Sequence, residues 1–483
     1  MRLASAPARG GSRFAGRSLY DALTGLANRF LVYDRARELL AQCGERDRSV
    51  AVLSIDIDGF SKVNHTFGQA AGDELLQVVA ERLTGAVREC DMVARLGGDE
   101  FAVLVDHAKL DASPELTAAA LLEVLHQPTE LTAANGAPIS ITASVGVAYG
   151  SPLAPDDLFR EADLALHEAK LSGKGRLTVF KSRMHVAMND RLSLESELAE
   201  ALDAGQFFLL YQPVFDLRSG RMTGVEALLR WRHPRRGVVA PDAFIPIAEE
   251  TGLIVPIGRW ALEQACVQAA AWQSGDCRLA VAVNVSTRQF ERAEFVAEVR
   301  GALSQSRLPA SELVLEITET VLMCDSKATV RRLRLLRALG VSIAVDDFGT
   351  GYSSLAYLHQ FPVDELKIDR SFISSSTASD DAADALVHTL VQLGKALGMR
   401  MLAEGIEDVA QLRRLQREGC DRGQGFLLAR PLKASAVEQL IRASRLSPTG
   451  LTSSVIGRQA LVGVKRPAVL EDEARQPRML KSA

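Results

Sequence analysis

Between residues 207 and 426 short apolar runs recur, and nearly every one closes on a polar side chain. The runs at 207–211, 222–225, 279–283 and 313–315 lead to Gln212, Glu226, Asn284, and then Glu316 and Glu319. Those at 341–345 and 399–403, with the short segments Glu365-Leu366 and Gly423, lead to Asp346 and Asp347, Glu404, Lys367 and Asp369, and Gln424 and Phe426. Helical periodicity fills the intervals, for example at 330–339 and 382–397. Apolar runs alternating with amphipathic helices predict strands joined by crossover helices. Eight such units over about 240 residues predict a TIM-like (β/α) barrel. Strand ends converge on one face of that fold, so this polar set would form one site. A barrel with a purely structural role has no need of an ionisable group at nearly every strand end, although a single acid at a loop start is ordinary.

The pattern ahead of residue 183 is different. It predicts an amphipathic helix through Leu40 capped by Asp21, a β-branched alternating strand at 49–57 ending in Asp56 and Asp58, and a helix at 74–87 started by Gly72-Asp73. A strand–turn–strand follows at 93–105 around Gly97-Gly-Asp-Glu100, then a strand at 139–148 and a helix at 162–171. The chain is thus an α/β protein, with an α/β domain ahead of the barrel. Residues 184–202 keep a helical period, with no Pro or Gly until Gly205, and read as a semi-rigid helical connector.

Two stretches carry candidate chemistry. In the first, Val341-Ser-Ile-Ala-Val-Asp-Asp-Phe-Gly-Thr-Gly351, a buried strand ends in adjacent carboxylates and a glycine-rich turn. Two buried acids are costly without positive charge between them, and two divalent metals would supply it and activate a water for phosphoester attack. Aspartates there also suit a turn with a helix cap, so the pair alone allows either reading. In the second, Asp56, Asp99 and Glu100 could meet around Mg²⁺, with Gly97 and Gly98 letting a nucleotide approach the backbone. Lys170 and Lys174, four apart, would share one helix face and hold phosphates. A bare Gly-Gly-Asp-Glu turn is otherwise an ordinary solvated hairpin tip.

Composition narrows the class. With 483 residues, 47% hydrophobic and 24% charged, the chain is ordinary globular protein of roughly three domains, or fewer with a barrel. A formal charge of −4 argues against a nucleic-acid partner. Six scattered cysteines without a CxxC pair suggest a reducing cytoplasmic setting, and no run of eighteen apolar residues predicts a membrane span. Residues 1–17 hold four arginines and no acid, a transit-peptide composition, but read better as a disordered leader or the stub of an upstream domain. The tail at 442–483 reads as disordered.

The first-half motifs do not stand alone. Asp21-to-Arg29, Asp56-Ile-Asp58, Asn64, Gly72-Asp73, Arg95-Leu-Gly-Gly-Asp-Glu-Phe101, Ser144-Val-Gly-Val147 and Ala162-Asp-Leu-Ala-Leu-His-Glu-Ala-Lys170 together resemble the GGDEF family of diguanylate cyclases over 18–182. The resemblance implies a cyclase-like α/β fold that condenses two GTP into cyclic di-GMP. It implies that Asp56, Asp99 and Glu100 handle metal and the 3′-hydroxyl, that Asn64 and Asp73 read guanine, and that Lys170 and Lys174 bind phosphate. Arg88-Glu-Cys-Asp91 resembles the family's product-inhibition site, although Arg-x-x-Asp alone is also an ordinary charged helix end. Ser61 replaces the family's usual lysine, His65 an aspartate, Gln69 a histidine and His167 a tyrosine. One lost charge-assisted contact costs on the order of 1–3 kcal/mol, which would slow a cyclase without abolishing it.

The second half, with its barrel over 205–441, resembles the EAL phosphodiesterases of cyclic di-GMP over roughly 194–440. The matching residues are Glu226-Ala-Leu-Leu-Arg-Trp231, Asn284-Val-Ser286, Leu315-Glu-Ile-Thr-Glu319, Asp346-Asp-Phe-Gly-Thr-Gly-Tyr-Ser-Ser-Leu355, Leu366-Lys-Ile-Asp-Arg-Ser-Phe372, Ala403-Glu-Gly-Ile-Glu407 and Gln424-Gly-Phe426. Phe426 for a tyrosine and Ala429-Arg-Pro for Lys-Pro are mild departures. The resemblance implies one metal on Glu226, Asn284, Glu316 and Asp346, and a second on Asp346 and Asp347 with Glu404 beside them. Oxygen-rich ligands suit Mg²⁺ or Mn²⁺ rather than Zn²⁺. Lys367 would orient the attacking water and Glu404 would be the candidate base, while Gln212, Arg230 and Gln424 position substrate and Glu319 anchors the 346–355 loop. The expected product is linear pGpG. Taken together these implications give a bifunctional enzyme with hydrolysis dominant, with a connector at 183–204, and acting as a homodimer for synthesis. A phosphodiesterase with a regulatory GTP-binding first domain is the principal alternative, ahead of a generic metal-dependent nuclease.

Overall fold

In the computed structural model the described residues are 19–42, 50–106, 113–134, 138–150, 154–273, 278–323, 326–348, 360–374 and 381–446. The expected leader, nearly all of the tail and most of the 346–355 loop lie outside them. The chain divides into two units, Met1–Leu192 and Ser193–Ala483. The helix predicted at 184–202 runs Arg183–Ala201, and the division falls within it.

The first unit is built on a six-stranded sheet in the order Ala27–Asn28, Met92–Gly97, Glu100–Asp106, Val50–Asp58, Thr142–Gly150, Leu177–Val179. The central strand Val50–Asp58 is antiparallel to both neighbours. It is buried on both faces: Leu53, Ile55 and Ile57 join one cluster, Val50 and Val52 the other. That explains a run more uniformly apolar than a half-exposed strand would show. Ser54 keeps its place there by donating to Asp163 Oδ1 at 2.7 Å. The strand predicted at 139–148 divides, with Ile139 in a short ribbon and Thr142–Gly150 in the main sheet. Asp21 does not cap the helix Arg29–Gln42. It accepts from Thr24 N and Oγ1 in the preceding turn, while Asn28 Oδ1 accepts from the Phe30 and Leu31 amides at 3.0 and 3.2 Å. Capping goes to the side chain next to the orphan amides.

Gly146 sets how the helix Pro155–Leu171 lies on this sheet. A Cβ there would overlap the Ala162 carbonyl and the Leu166 amide, both backbone.

In the second unit, eight strands close into a barrel among the described residues: Phe207–Asp216, Met222–His233, Ala280–Val285, Leu313–Thr318, Ser342–Phe348, Glu365–Ile368, Arg400–Ala403 and Arg422–Gly423. Seven run parallel, but Phe207–Asp216 runs against both of its neighbours. Its link to the next strand is too short for a parallel crossover, which needs a dozen or more residues. Instead Asp216 Oδ1 accepts from the Ser219 amide and hydroxyl, both at 2.6 Å, in a tight turn. Gln212 and Glu226 therefore sit mid-strand, as cross-strand partners, rather than at strand ends.

Alternation along the strands divides the barrel's two faces. Val281, Val283, Leu313, Leu315, Ile343, Val345, Leu366 and Ile368 belong to the large core beneath the helices. The alternate positions Ala282, Val314 and Ala344 form a small separate cluster. One pleat further along their strands come Asn284, Glu316 and Asp346. Trp231 is fully buried against Phe207 and Phe244, and its Nε1 donates to Gln206 at 2.8 Å. Glu197 of the connecting helix pairs with His233 and Arg235 at the end of the same strand.

All three tryptophans, Trp231, Trp260 and Trp272, lie in the second unit, so fluorescence reports that unit alone. Gly146→Ala should destabilise the first unit by roughly 1–3 kcal/mol or more through overpacking. Circular dichroism during urea unfolding should show an early transition, with the tryptophan midpoint unmoved. Equal movement of both signals, or of neither, would count against this packing account.

Candidate functional site

The barrel site is organised around one ammonium. Lys367 is 1% exposed, and its Nζ lies 2.7 Å from Glu404 Oε1, 3.0 Å from Glu316 Oε2, 3.1 Å from Asp346 Oδ1 and 3.8 Å from Glu226 Oε1. Burial works against its charge, but the four carboxylates prevail and hold its pKa well above the usual lysine value. Burial likewise opposes ionisation of Glu226. There Lys367 wins, helped by Gln424 Nε2 at 2.7 Å and Asn284 Nδ2 at 2.8 Å, and the carboxyl is held low. Gln424 Nε2 also donates to Glu404 at 3.1 Å. Burial pushes Glu404 up to about 7 and Glu316 well above the ordinary range.

Asp347 completes the cluster by an unusual backbone. Successive strand residues face opposite ways, so adjacent aspartates cannot both point inward on a regular strand. Asp347 adopts φ 52°, where the pairing with the next strand also shifts register, and its amide donates to Asp346 Oδ1 at 3.0 Å. Carboxylate oxygens of Asp346, Asp347 and Glu404 then come within 4.8 Å of one another. Burial again raises the Asp347 carboxyl, with Asp346 adding repulsion.

This donor set fits divalent metal. One ammonium does not balance five acids, the ligands are oxygens, and Glu316 Oε2 is buried without an aligned hydrogen-bond donor. Of the other predicted residues, Gln212 is buried and donates to the Ala429 carbonyl at 3.3 Å, and half-buried Arg230 donates to the Leu229 carbonyl at 2.8 Å. Buried Glu319 opens the helix Glu319–Met323, but most of the loop it would anchor lies outside the described residues.

In the first unit Asp56 and Glu100 are cross-strand partners, and Lys170 Nζ lies 2.6 Å from Asp56 Oδ2. Burial lifts the Asp56 carboxyl above the usual range. Lys170 opposes this, while Asp99 and Asp58 reinforce it. Asp99 is half-buried and Glu100 exposed at the hairpin tip. The predicted helical pairing of Lys170 with Lys174 is incorrect. The helix ends at Leu171, and Lys174 stands in a left-handed turn at φ 59° between Gly173 and Gly175. Gly173, just past the helix cap, ends the helix before the second lysine is reached.

Asn64 lies in the helix Phe60–Phe67 and half-buried Asp73 in Gln69–Ala86, which starts five residues before the predicted helix at 74–87. Gly72 is inside that helix because the Asn64 side chain occupies the space of a Cβ. Asn64 Oδ1 is buried against Gly72 with no hydrogen-bond partner. Ser61, His65 and Gln69 are exposed. Arg88 lies past the helix end and closes on Asp91, with Nη2 to Oδ1 at 2.8 Å and Nε to Oδ2 at 2.9 Å.

Two residues with site roles escaped the sequence reading. Arg95 donates through Nε and Nη2 to the Gly98 carbonyl at 3.0 and 2.7 Å and pairs with Asp21 at 3.0 Å, which braces the turn presenting Asp99. Asp58 ties the turn bearing Lys174 to the sheet. Both residues stood inside recognised motifs, but their partners are 74 and 117 residues away.

Comparison with known proteins finds a family match for each half of the chain. The family described as "Diguanylate cyclase, GGDEF domain" matches residues 18–176, and the family "EAL domain" matches 195–431. The bifunctional diguanylate cyclase/cyclic di-GMP phosphodiesterase MucR of Pseudomonas aeruginosa is 43% identical over 443 residues, 91% of this chain and 63% of that protein. The cyclic di-GMP phosphodiesterase NbdA of the same organism is 40% identical over 433 residues, 88% of this chain and 54% of its own length. Among solved structures, the EAL enzyme Bd1971 in its cGMP-bound form is 30% identical, covers 63% of this chain and 82% of its own, and has a TM-score of 0.51. The chain thus spans between about half and two thirds of these curated relatives. With a cyclase-type sheet followed by a barrel whose carboxylates surround Lys367, and with both family matches in that order, the chain belongs to the tandem GGDEF–EAL proteins.

Proposed function

We propose that this chain turns over cyclic di-GMP: the second unit hydrolyses it to pGpG, the first makes it from two GTP, and hydrolysis predominates. The observation that carries the reading is the arrangement of Glu226, Glu316, Asp346 and Glu404 around buried Lys367, with Asp347 turned toward them. Glu226, Glu316, Asp346 and Asp347, with the Asn284 carbonyl oxygen, would hold Mg²⁺ or Mn²⁺. Bound there, the cations supply charge neutralisation at the phosphate and a water of lowered pKa. Lys367 orients that water by hydrogen bonding. Glu404, its carboxyl pushed up to about 7, is suited to take the water's proton near neutral pH. Water attacks phosphorus and the 3′-oxygen departs, which opens the ring to pGpG. Gln212 and Arg230 hold the substrate, and Gln424 holds Glu226 and Glu404 in place.

In the first unit Asp56, Asp99 and Glu100 would hold Mg²⁺ and the reacting 3′-hydroxyl, and the Asn64 carbonyl oxygen would accept from guanine, as Asp73 would. Joining two GTP into a two-fold product requires two such sites face to face, hence a homodimer for synthesis. Exposed Ser61 in place of a lysine removes one phosphate contact, which supports the dominance of hydrolysis. The Arg88–Asp91 pair would open to accept product phosphates and restrain synthesis. A cytoplasmic protein fits the substrates, and no described helix is long and apolar enough to cross a membrane.

Separate incubations with GTP and with cyclic di-GMP, each with Mg²⁺ or Mn²⁺ and resolved by chromatography, test both halves. Hydrolysis should stop on chelation. Glu226→Ala should lower it by more than about 100-fold, since even groups supporting a metal ligand are worth 10- to 100-fold. Full activity in that variant would sink this site.

Cyclase output should emerge in the Glu226→Ala background and fall in specific activity on dilution. Synthesis that stays constant in a protein shown to be monomeric would refute the two-site requirement.

In the same background Ser61→Lys should raise synthesis by about 5- to 150-fold, the equivalent of ~1–3 kcal/mol felt in the transition state. Arg88→Ala should remove an early plateau in product. No cyclic di-GMP from GTP in any dimeric state would leave the first unit as a regulatory nucleotide-binding module.

A further inference from the structure

Asp58 follows the reacting strand's Asp56 by two residues, yet its carboxylate has a different set of partners. Oδ1 accepts from Ser144 Oγ at 2.9 Å, and Oδ2 from Thr142 Oγ1 at 2.9 Å and from the Gly175 amide at 3.0 Å. Two of these partners lie on the adjacent strand Thr142–Gly150, where Asp58 faces Thr142 in register. The third lies in the turn after the helix Pro155–Leu171.

That turn is an improbable one. Gly173, Lys174 and Gly175 all have positive φ, at 114°, 59° and 58°. A lysine in the left-handed region is uncommon and persists only when its surroundings determine it. The Lys174 amide reaches back to the Ala169 carbonyl at 3.1 Å, which closes the helix, and the Gly175 amide is then tied to Asp58. Beyond it, Val145 N donates to the Arg176 carbonyl at 2.9 Å and the strand Leu177–Val179 begins. Asp58 is thus the side chain that fastens the Lys174 turn to the sheet. The same helix terminus carries Lys170, whose Nζ pairs with Asp56.

We infer that Asp58 is a positioning residue for triphosphate binding: its carboxylate fixes the left-handed turn that presents Lys174, at a set distance from Lys170 and Asp56. The inference rests on the reading of the first unit as a GTP site. Asp58 touches no substrate in this scheme and acts through Lys174.

The test is a double-mutant cycle on the whole chain, read by titration calorimetry with guanosine 5′-[α,β-methylene]triphosphate and Mg²⁺, a probe that cannot be cyclised. Asp58→Asn should weaken binding roughly 10- to 150-fold, the scale of one hydrogen bond to a charged acceptor. Lys174→Ala should weaken it comparably, and the double variant should bind no more weakly than Lys174→Ala alone. Thr142→Val, which spares the Gly175 contact, should stay within about twofold of the parent. Barrel hydrolysis of cyclic di-GMP in the same samples should be unchanged, which shows that the protein is intact. Multiplying effects, or an unchanged Kd in Asp58→Asn, would overturn the inference. A parent chain that does not bind the probe at all would instead remove the GTP reading on which it rests. Should Asp58→Asn unfold, exchange of the Gly175 amide in the parent decides: protection supports the latch, and exchange at the rate of an unstructured amide overturns it.

Discussion

The second unit depends on keeping one ammonium among several carboxylates at the inner end of a barrel. Taking either kind of charge from water is costly, and the attraction offsets that only when geometry and the remaining hydrogen bonds are good. Here Asn284 and Gln424 supply amide donors to Glu226 and Glu404, and the strands supply the geometry. The balance still favours extra positive charge: Glu316, Asp347 and Glu404 are all pushed toward protonation, with burial the largest cause in each. A site so arranged suits divalent cations. The functional property and the electrostatic strain have the same origin.

The first unit shows the same motif in a wetter setting. Lys170 pairs with Asp56 at 2.6 Å, but the lysine is about one third exposed, where solvent weakens such pairs. A lysine there can change partners at small cost. Lys367, buried and surrounded, is held to orientation within its site. Exposure therefore separates two lysines with superficially similar partners.

Rigid packing fixes both sites. Gly146 brings the helix bearing Lys170 onto the sheet, and Gly72 admits the Asn64 side chain. In the barrel, small Ala282, Val314 and Ala344 fill the space one pleat from the polar groups. Left-handed backbone at Asp347 and Lys174 breaks a strand in one case and follows a helix end in the other, and it re-aims both side chains. Strain of this kind is retained where surrounding contacts over-determine it, and it often coincides with function.

Much was legible in the sequence alone, because strand alternation, helical period and motif spacing are local properties. Apolar runs ending in Glu226, Asn284, Glu316, Asp346 and Glu404 sufficed for an eight-stranded barrel, and Gly97-Gly-Asp-Glu100 for a hairpin. What tertiary structure decided is non-local. The pairing of Phe207–Asp216 with Arg422–Gly423, which closes the barrel, joins the first and last strands of the unit. Lys174 leaves the helical face because Gly173 and Gly175 admit a turn that Asp58, 117 residues earlier in a sequence-distant strand, holds in place. The centrality of Lys367 comes from the parallel register of strands drawn from across the unit, which brings four acids within 4 Å of one nitrogen. Local pattern tells which face a side chain takes; only closure of the sheet tells what it meets there.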